Sequence, residues 1–309
     1  VNLSTHVADG AFDWVKLDDT VRAAVRQLNH VIDLNLYPID NAKTSNLKWR
    51  PVGLGLMGLQ DVFFKLNYPF DSAEARQLSS KISEEIYYSA LSASADLAER
   101  YGAHANFKDT KAAQGIMQFD MWGITPSDPA RWDALRERIK EVGLRNSLLI
   151  AIAPTATIAS IVGCSECIEP VVGNLFRRET MSGDFLQINS YLVRYLQARG
   201  LWTTGVINQI RLSEGSIQDI NIISDDLKLK YRTAWEIPMR SLIDMAADRG
   251  AYIDQGQSLN LFSVLANNTS ASAIPTAVAT STFFGTPISG TILAFLNGQC
   301  SQGSPTPKA

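Results

Sequence analysis

Six apolar residues in a row, Leu148-Leu149-Ile150-Ala151-Ile152-Ala153, show no alternation with polar ones. A strand covered on both faces, as in a parallel sheet or an α/β barrel, reads this way. The run passes through Pro154-Thr155-Ala156-Thr157 into a second apolar stretch, Ile158-Ala159-Ser160-Ile161-Val162, which reads as a short helix closed by Gly163. Helical spacing dominates elsewhere. Asp18-Asp19-Thr20 offers caps for a helix with its apolar face at Val21, Ala24, Val25, Leu28 and Ile32, stopping at Tyr37-Pro38. A longer one starts at Asp71, with Glu74 completing a capping box, and carries Ala75, Leu78, Ile82, Ile86, Ala93 and Leu97 to Gly102. Its roughly 30 residues span about 45 Å, enough to flank a whole barrel. A third runs from Ser127-Asp128-Pro129 through Trp132, Leu135, Ile139 and Val142 to Gly143. Two more are expected over Phe185 to Arg199 and Ile237 to Arg249, with a weaker pattern around Asp225 to Tyr231. The fold class is α/β, and no internal repeat interrupts it.

The junction after Ala153 carries candidate chemistry. Ligands of parallel α/β folds sit at the carboxyl ends of the strands. With Thr155 as N-cap, the backbone N–H groups of Ala156, Thr157 and Ile158 lack intrahelical acceptors and face whatever lies beyond the strand. A phosphate could accept those protons, aided by the Thr155 and Thr157 hydroxyls and by a helix-dipole contribution of roughly 0.3–1 kcal/mol. An ordinary threonine-capped strand-to-helix turn has the same local pattern.

Length and composition narrow the class. The 309 residues, 46% hydrophobic, can bury a large core in one α/β domain. A formal charge of −3 provides no electrostatic footprint for nucleic acid, and no polybasic run marks a membrane surface. Cys164, Cys167 and Cys300 form no disulfide framework, which makes a reducing cytoplasm the default. The start, Val1-Asn2-Leu3-Ser4, has neither a secretory signal nor an initiator methionine and reads as the middle of a longer protein. Composition breaks near the other end: residues 255–307 contain no charged side chain, although charged residues make up 19% of the chain. Residues 263–309 are therefore set apart as an uncharged, low-complexity tail, disordered or aberrant in origin. Ala273 to Leu296 within it is a poor membrane span, being rich in hydroxyl residues and interrupted by Gly285, Pro287 and Gly290.

Several motifs admit two readings. Gly53-Leu54-Gly55-Leu56-Met57-Gly58 matches a dinucleotide fingerprint, but Lys48-Trp49-Arg50-Pro51-Val52 is not the apolar strand that must precede it. A strand closely approached by another backbone fits better. Cys164 and Cys167 have the spacing of a redox pair or half a zinc site, yet no second pair exists and His6, His30 and His104 are scattered; semi-buried thiols are the plainer reading. Glu166 and Glu169 could do acid/base work or simply finish a turn. Tyr87-Tyr88 reads as helix packing rather than a conduit for radicals, and Arg145 and Asn146 as structural.

The run Leu144 to Pro170, including Arg145-Asn146-Ser147 and Gly163-Cys164-Ser165-Glu166-Cys167-Ile168-Glu169-Pro170, resembles the C-terminal half of the ribonucleotide reductase large subunit. The resemblance continues through Asn174-Leu175-Phe176, Leu186-Gln187-Ile188-Asn189, Trp235-Glu236-Ile237-Pro238 and Ile243 to Ala251, and covers residues 1–262. It implies the C-terminal portion of a ten-stranded α/β barrel with long flanking helices. It also implies that Pro154, Thr155, Ala156, Thr157 and Ile158 cradle the diphosphate of a nucleoside diphosphate. In that family a cysteine thiyl radical takes the ribose 3′ hydrogen, two further cysteines supply reducing equivalents, and a Glu/Asn pair assists loss of the 2′ hydroxyl. The resemblance puts all of those groups upstream of Val1, so it assigns no catalytic residue and no metal ligand here. Ala156 favours class I over the cobalamin-dependent class. This implies a metal-containing small subunit as radical source, thioredoxin or glutaredoxin as reductant, ATP and dNTP effectors, and a homodimer of complete large subunits. The family's radical-relay tyrosines would follow the segment matching Phe262, where this chain carries its tail, so the isolated polypeptide is expected to be inactive. A different phosphate-binding α/β-barrel enzyme and a non-catalytic module that binds nucleotide or a reductase subunit remain the alternatives.

Overall fold

The computed structural model describes residues 1–180, 183–262 and the backbone of 278–283. The expected tail and its weak span, residues 263–309, lie otherwise outside the described residues, as does Cys300. Two residue pairs near the start, β1 (Val7–Ala8) and β2 (Ala11–Phe12), form a small antiparallel hairpin. Helix α1 (Trp14–Leu34) follows, beginning between one and two turns earlier than the sequence pattern suggested. Asp13 is its cap, accepting the Lys16 N–H at 2.9 Å, and Asp18 instead sits inside the helix, paired with Arg22. After α2 (Asp40–Trp49) and α3 (Leu59–Leu66) comes the long α4 (Ala73–Tyr101), packed against α1. Ser72 rather than Asp71 caps α4, because Asp71 is engaged by Arg232.

The short α5 (Gln118–Met121) leads to α6 (Pro129–Val142), which begins as expected with Asp128 as cap and Pro129 in the first turn. Next come α7 (Ala156–Val162), then a hairpin of β3 (Leu175–Thr180) and β4 (Gly183–Ile188). The expected helix from Phe185 is corrected at its start: Phe185 to Ile188 pair with β3, and α8 (Ser190–Ala198) begins only after Asn189. The Asn189 carboxamide accepts the N–H groups of Tyr191 and Leu192, a local cap that separates strand from helix. Beyond α9 (Thr204–Leu212), α10 (Asp225–Lys230) and α11 (Met239–Gly250), strand β5 (Gln257–Phe262) pairs antiparallel with β6 (Val278–Phe283).

The described residues are mostly helical, with few regular strands, and they do not close a barrel. They form an arc of parallel segments joined by the bridges Asn2↔Met57, Leu54↔Ile150 and Ile152↔Gln257. The apolar run is the middle of that arc, as an extended segment rather than a long ladder. Leu149, Ile150 and Ile152 are buried, so both faces are covered at its centre, while Leu148 at its start is 37% exposed. Gly53 and Gly55 flank it: a Cβ at Gly53 would stand 3.1 Å from Ala151 Cβ, and one at Gly55 3.2 Å from the Ala151 carbonyl. Their absent side chains allow the two backbones to approach, and no dinucleotide turn is formed. A second apolar core gathers Leu175, Leu192, Leu196, Ile210, Ile217 and Tyr231 from the hairpin and the helices after it, and Phe64 of α3 enters it.

At the amino end of the arc, half-buried Asp254 accepts the N–H groups of Leu149 at 2.9 Å and Ile150 at 2.8 Å. Burial outweighs those bonds and pushes its pKa from 3.8 up to about 6. A raised carboxyl pKa means that the fold favours the protonated form. The associated stability is complete below the unfolded value and is lost as pH rises through about 6. Asp254→Asn should therefore remove a fall in unfolding free energy of about 3 kcal/mol between pH 4 and 7. Denaturant titrations of both proteins across that range check it, and parallel pH profiles would refute the assignment.

Candidate functional site

Helix α7 begins where the 149–152 segment ends, at the carboxyl end of the parallel arc. The five expected ligands stand together there: Pro154, Thr157 and Ile158 are exposed, and Thr155 and Ala156 half-buried. Ala156, Thr157 and Ile158 form the first turn, so their N–H groups point out of the helix start. One local expectation is corrected. The Thr155 hydroxyl does not cap α7; it accepts the Cys167 N–H at 2.8 Å, and the Thr155 carbonyl accepts the Ala159 N–H at 2.7 Å. The hydroxyl keeps its own proton to donate elsewhere.

Of the α7 residues only Ala159 is buried, so packing alone holds this short helix weakly. The loop that returns from it is bound more firmly. Ser165 gives its N–H and hydroxyl to Asp61 of α3, at 2.6 and 2.5 Å, and its carbonyl accepts the Gly58 N–H at 3.0 Å. Cys167 adopts a left-handed φ of 48°. Glu169 is buried and accepts both the backbone N–H and the side-chain amide of Asn260 in β5, at 2.9 and 2.8 Å. Burial raises the Glu169 pKa, and the Asn260 bonds oppose that shift. Glu169 is therefore a tether between the return loop and β5, whereas Glu166 is exposed.

A cavity of about 690 Å³ opens between this loop, α3 and the β3–β4 hairpin. Asp61, Cys164, Glu169, Arg177, Tyr191 and Asn260 are among its walls, but none of residues 154–158 is. The start of α7 and the cavity are thus separate features of one neighbourhood. Sequence reading missed Asp61, whose signal was an acidic residue inside the apolar stretch Leu59-Gln60-Asp61-Val62-Phe63.

The remaining motifs resolve into packing. Burial pushes the Cys164 and Cys167 thiols up to about 11 each. Among the described residues no group of three or more His, Cys, Asp or Glu is placed to hold a metal ion, and no helix is long and apolar enough to cross a membrane. Tyr87 lies against Trp132 at 5.8 Å and Tyr88 meets the same ring edge-on at 5.2 Å. Buried Asn146 donates to the Arg50 carbonyl, and Arg145 donates to the carbonyls closing α4.

Parallel segments with a helix start at their carboxyl ends are the layout found at the mouth of α/β-barrel proteins. The family "Ribonucleotide reductase, barrel domain" matches residues 1–285. The chain is 48% identical over 261 residues to a ribonucleoside-diphosphate reductase large subunit of Variola virus, covering 84% of this chain and 34% of that protein. A large subunit of Caenorhabditis elegans is 49% identical over 250 residues, 81% of this chain and 32% of that protein. Among solved structures, the class Id ribonucleotide reductase alpha subunit of Actinobacillus ureae superposes with a TM-score of 0.64 at 26% identity, over 84% of this chain and 42% of that one. This chain belongs to the ribonucleotide reductase barrel-domain family, and it spans about a third of the length of the curated relatives it matches.

With pKa values near 11, only about a thousandth of either thiol is ionised at pH 8. Peptide-resolved alkylation should find Cys164 and Cys167 modified at least tenfold more slowly than a free cysteine of pKa about 8.5. Rates equal to the free thiol would contradict the buried, uncharged setting.

Proposed function

We propose that this chain is the C-terminal portion of the ten-stranded barrel of a class I ribonucleoside-diphosphate reductase large subunit, and that residues Pro154, Thr155, Ala156, Thr157 and Ile158 hold the substrate's diphosphate. The observation that carries this reading is the exposed first turn of α7 at the carboxyl end of the parallel arc. Three successive N–H donors and the free hydroxyl protons of Thr155 and Thr157 suit an oxyanion, and the helix start favours negative charge without a basic side chain. Pro154 sets the direction in which the chain enters that turn.

The chain's role in this scheme is binding and orientation. Reduction of the ribose proceeds by thiyl-radical chemistry on groups outside the α7 neighbourhood, with the radical supplied by a metal-containing small subunit and electrons by thioredoxin or glutaredoxin. ATP and dNTP effectors act on the complete large subunit, which is a homodimer. Cys164 and Cys167 take no part, since burial keeps both thiols from ionising readily and outweighs the Val1 amino group near Cys164 and Arg249 near Cys167.

Thr157→Pro removes one of the three donors at a helix position where proline is accommodated. Thr155→Ala removes a hydroxyl that also steadies Cys167, an interaction of about 0.5–1.5 kcal/mol. In a complete large subunit containing this segment, both variants should weaken nucleoside diphosphate binding, and the proline variant the more severely. Calorimetric titration measures it; undiminished affinity in Thr157→Pro would rule out the cradle.

A further inference from the structure

Helix α7 is seven residues long and buries only Ala159, so something other than packing must fix the direction of its first turn. The hydrogen bonds lead to a residue distant in sequence. Thr155 at the helix start is bound by the Cys167 N–H, and Cys167 lies two residues beyond Ser165. Ser165 is held by Asp61, which is only 6% exposed and takes both the N–H and the hydroxyl of that serine on one carboxylate oxygen. The Gly58 N–H closes the same loop by binding the Ser165 carbonyl at 3.0 Å. Helix α3 also carries Phe64 against the rings of Tyr191 of α8 and Tyr231, at 5.4 and 4.9 Å. One carboxylate thus ties the return loop of α7 to α3, whose Phe64 enters the second core.

We infer that Asp61 is a positioning residue for the diphosphate site, fixing the first turn of α7 through Ser165, Cys167 and Thr155. It touches no ligand itself. Its charge matters because a carboxylate oxygen can accept from the Ser165 N–H and hydroxyl together, and because the first turn of α3 favours an anion there. Asparagine keeps a carbonyl acceptor for the Ser165 N–H but loses the charge-assisted bonds; alanine loses all of them. The inference rests on the reading of residues 154–158 as an anion cradle, and the test separates the two.

Hydrogen exchange and inorganic pyrophosphate titration should be run on the full chain and its Asp61→Ala and Asp61→Asn variants. In Asp61→Ala, the Cys167 amide and the backbone of 156–162 should exchange on the order of ten- to a hundredfold faster, with α4 unchanged. Pyrophosphate affinity should fall about tenfold or more in Asp61→Ala, with partial recovery in Asp61→Asn. If Asp61→Ala disrupts α4 as well, Ser165→Ala, which removes only the hydroxyl bond, should reproduce a smaller acceleration confined to 156–167. Exchange in that segment unchanged in folded Asp61→Ala, or uniform loosening with Ser165→Ala, overturns the positioning role. No pyrophosphate binding by the unaltered chain overturns the cradle instead, while the exchange measurement still reports whether Asp61 holds α7.

Discussion

Everything near the site depends on how the extended backbone at 149–152 satisfies its hydrogen bonds. A buried run of apolar residues can occupy the interior only if each N–H finds an acceptor. Here the acceptors come from three directions. Leu149 and Ile150 give theirs to Asp254, Ala151 to the Leu54 carbonyl and Ile152 to the Gly256 carbonyl. The segment is thereby pinned between two parallel neighbours and clasped at its amino end, and its carboxyl end delivers Pro154 and the start of α7 to one place. Gly53 and Gly55 are part of the same constraint, since a side chain at either would press on Ala151.

Around this arc the polar side chains act mainly as ties between elements distant in sequence. Asn146 links the start of the apolar run to Arg50, whose buried guanidinium reaches Asn29 and Asp33 of α1. Glu169 joins the return loop to β5, and Asp61 joins it to α3. Arg249 lies fully buried with the neutral acceptors Ser79 and Gln257, and burial lowers its pKa to about 10, which still leaves it charged at neutral pH. Such buried charged groups add less to net stability than their bond lengths suggest, because removal from water opposes the gain. Their consequence is geometric: each permits one arrangement of the segments it joins.

Helix α3 has a role that its length conceals. Its amino end holds the loop behind α7, and its Phe64 ring belongs to the second apolar core. Lys230 donating to Asn67 and Arg232 paired with Asp71 fasten the second core to the segment just after α3. The first turn of α7 and the helices after the hairpin are therefore joined through one short helix. Family membership agrees with this arrangement in kind, since the match runs continuously through both cores.

The sequence by itself determined the long helix α4, the capped α6, the buried run at 149–152, the helix start after it and the family. Each rests on local signals: helical spacing, a side-chain cap, an unbroken apolar stretch, or a long collinear motif. Local signals also misplaced some boundaries. Phe185 to Ile188 looked like the start of a helix because strand pairing with Leu175 to Arg178 is invisible in a single segment. Thr155 does stand at the N-cap position of α7, but its hydroxyl accepts from Cys167 instead of the helix, a donor brought near only by the turn after α7. Asp254 showed no motif and Asp61 only an acidic residue in a mainly apolar stretch, since their partners lie about a hundred residues away. Sequence fixes which residues can cap, cross or bury; only the tertiary structure decides which distant backbone groups a buried carboxylate must satisfy.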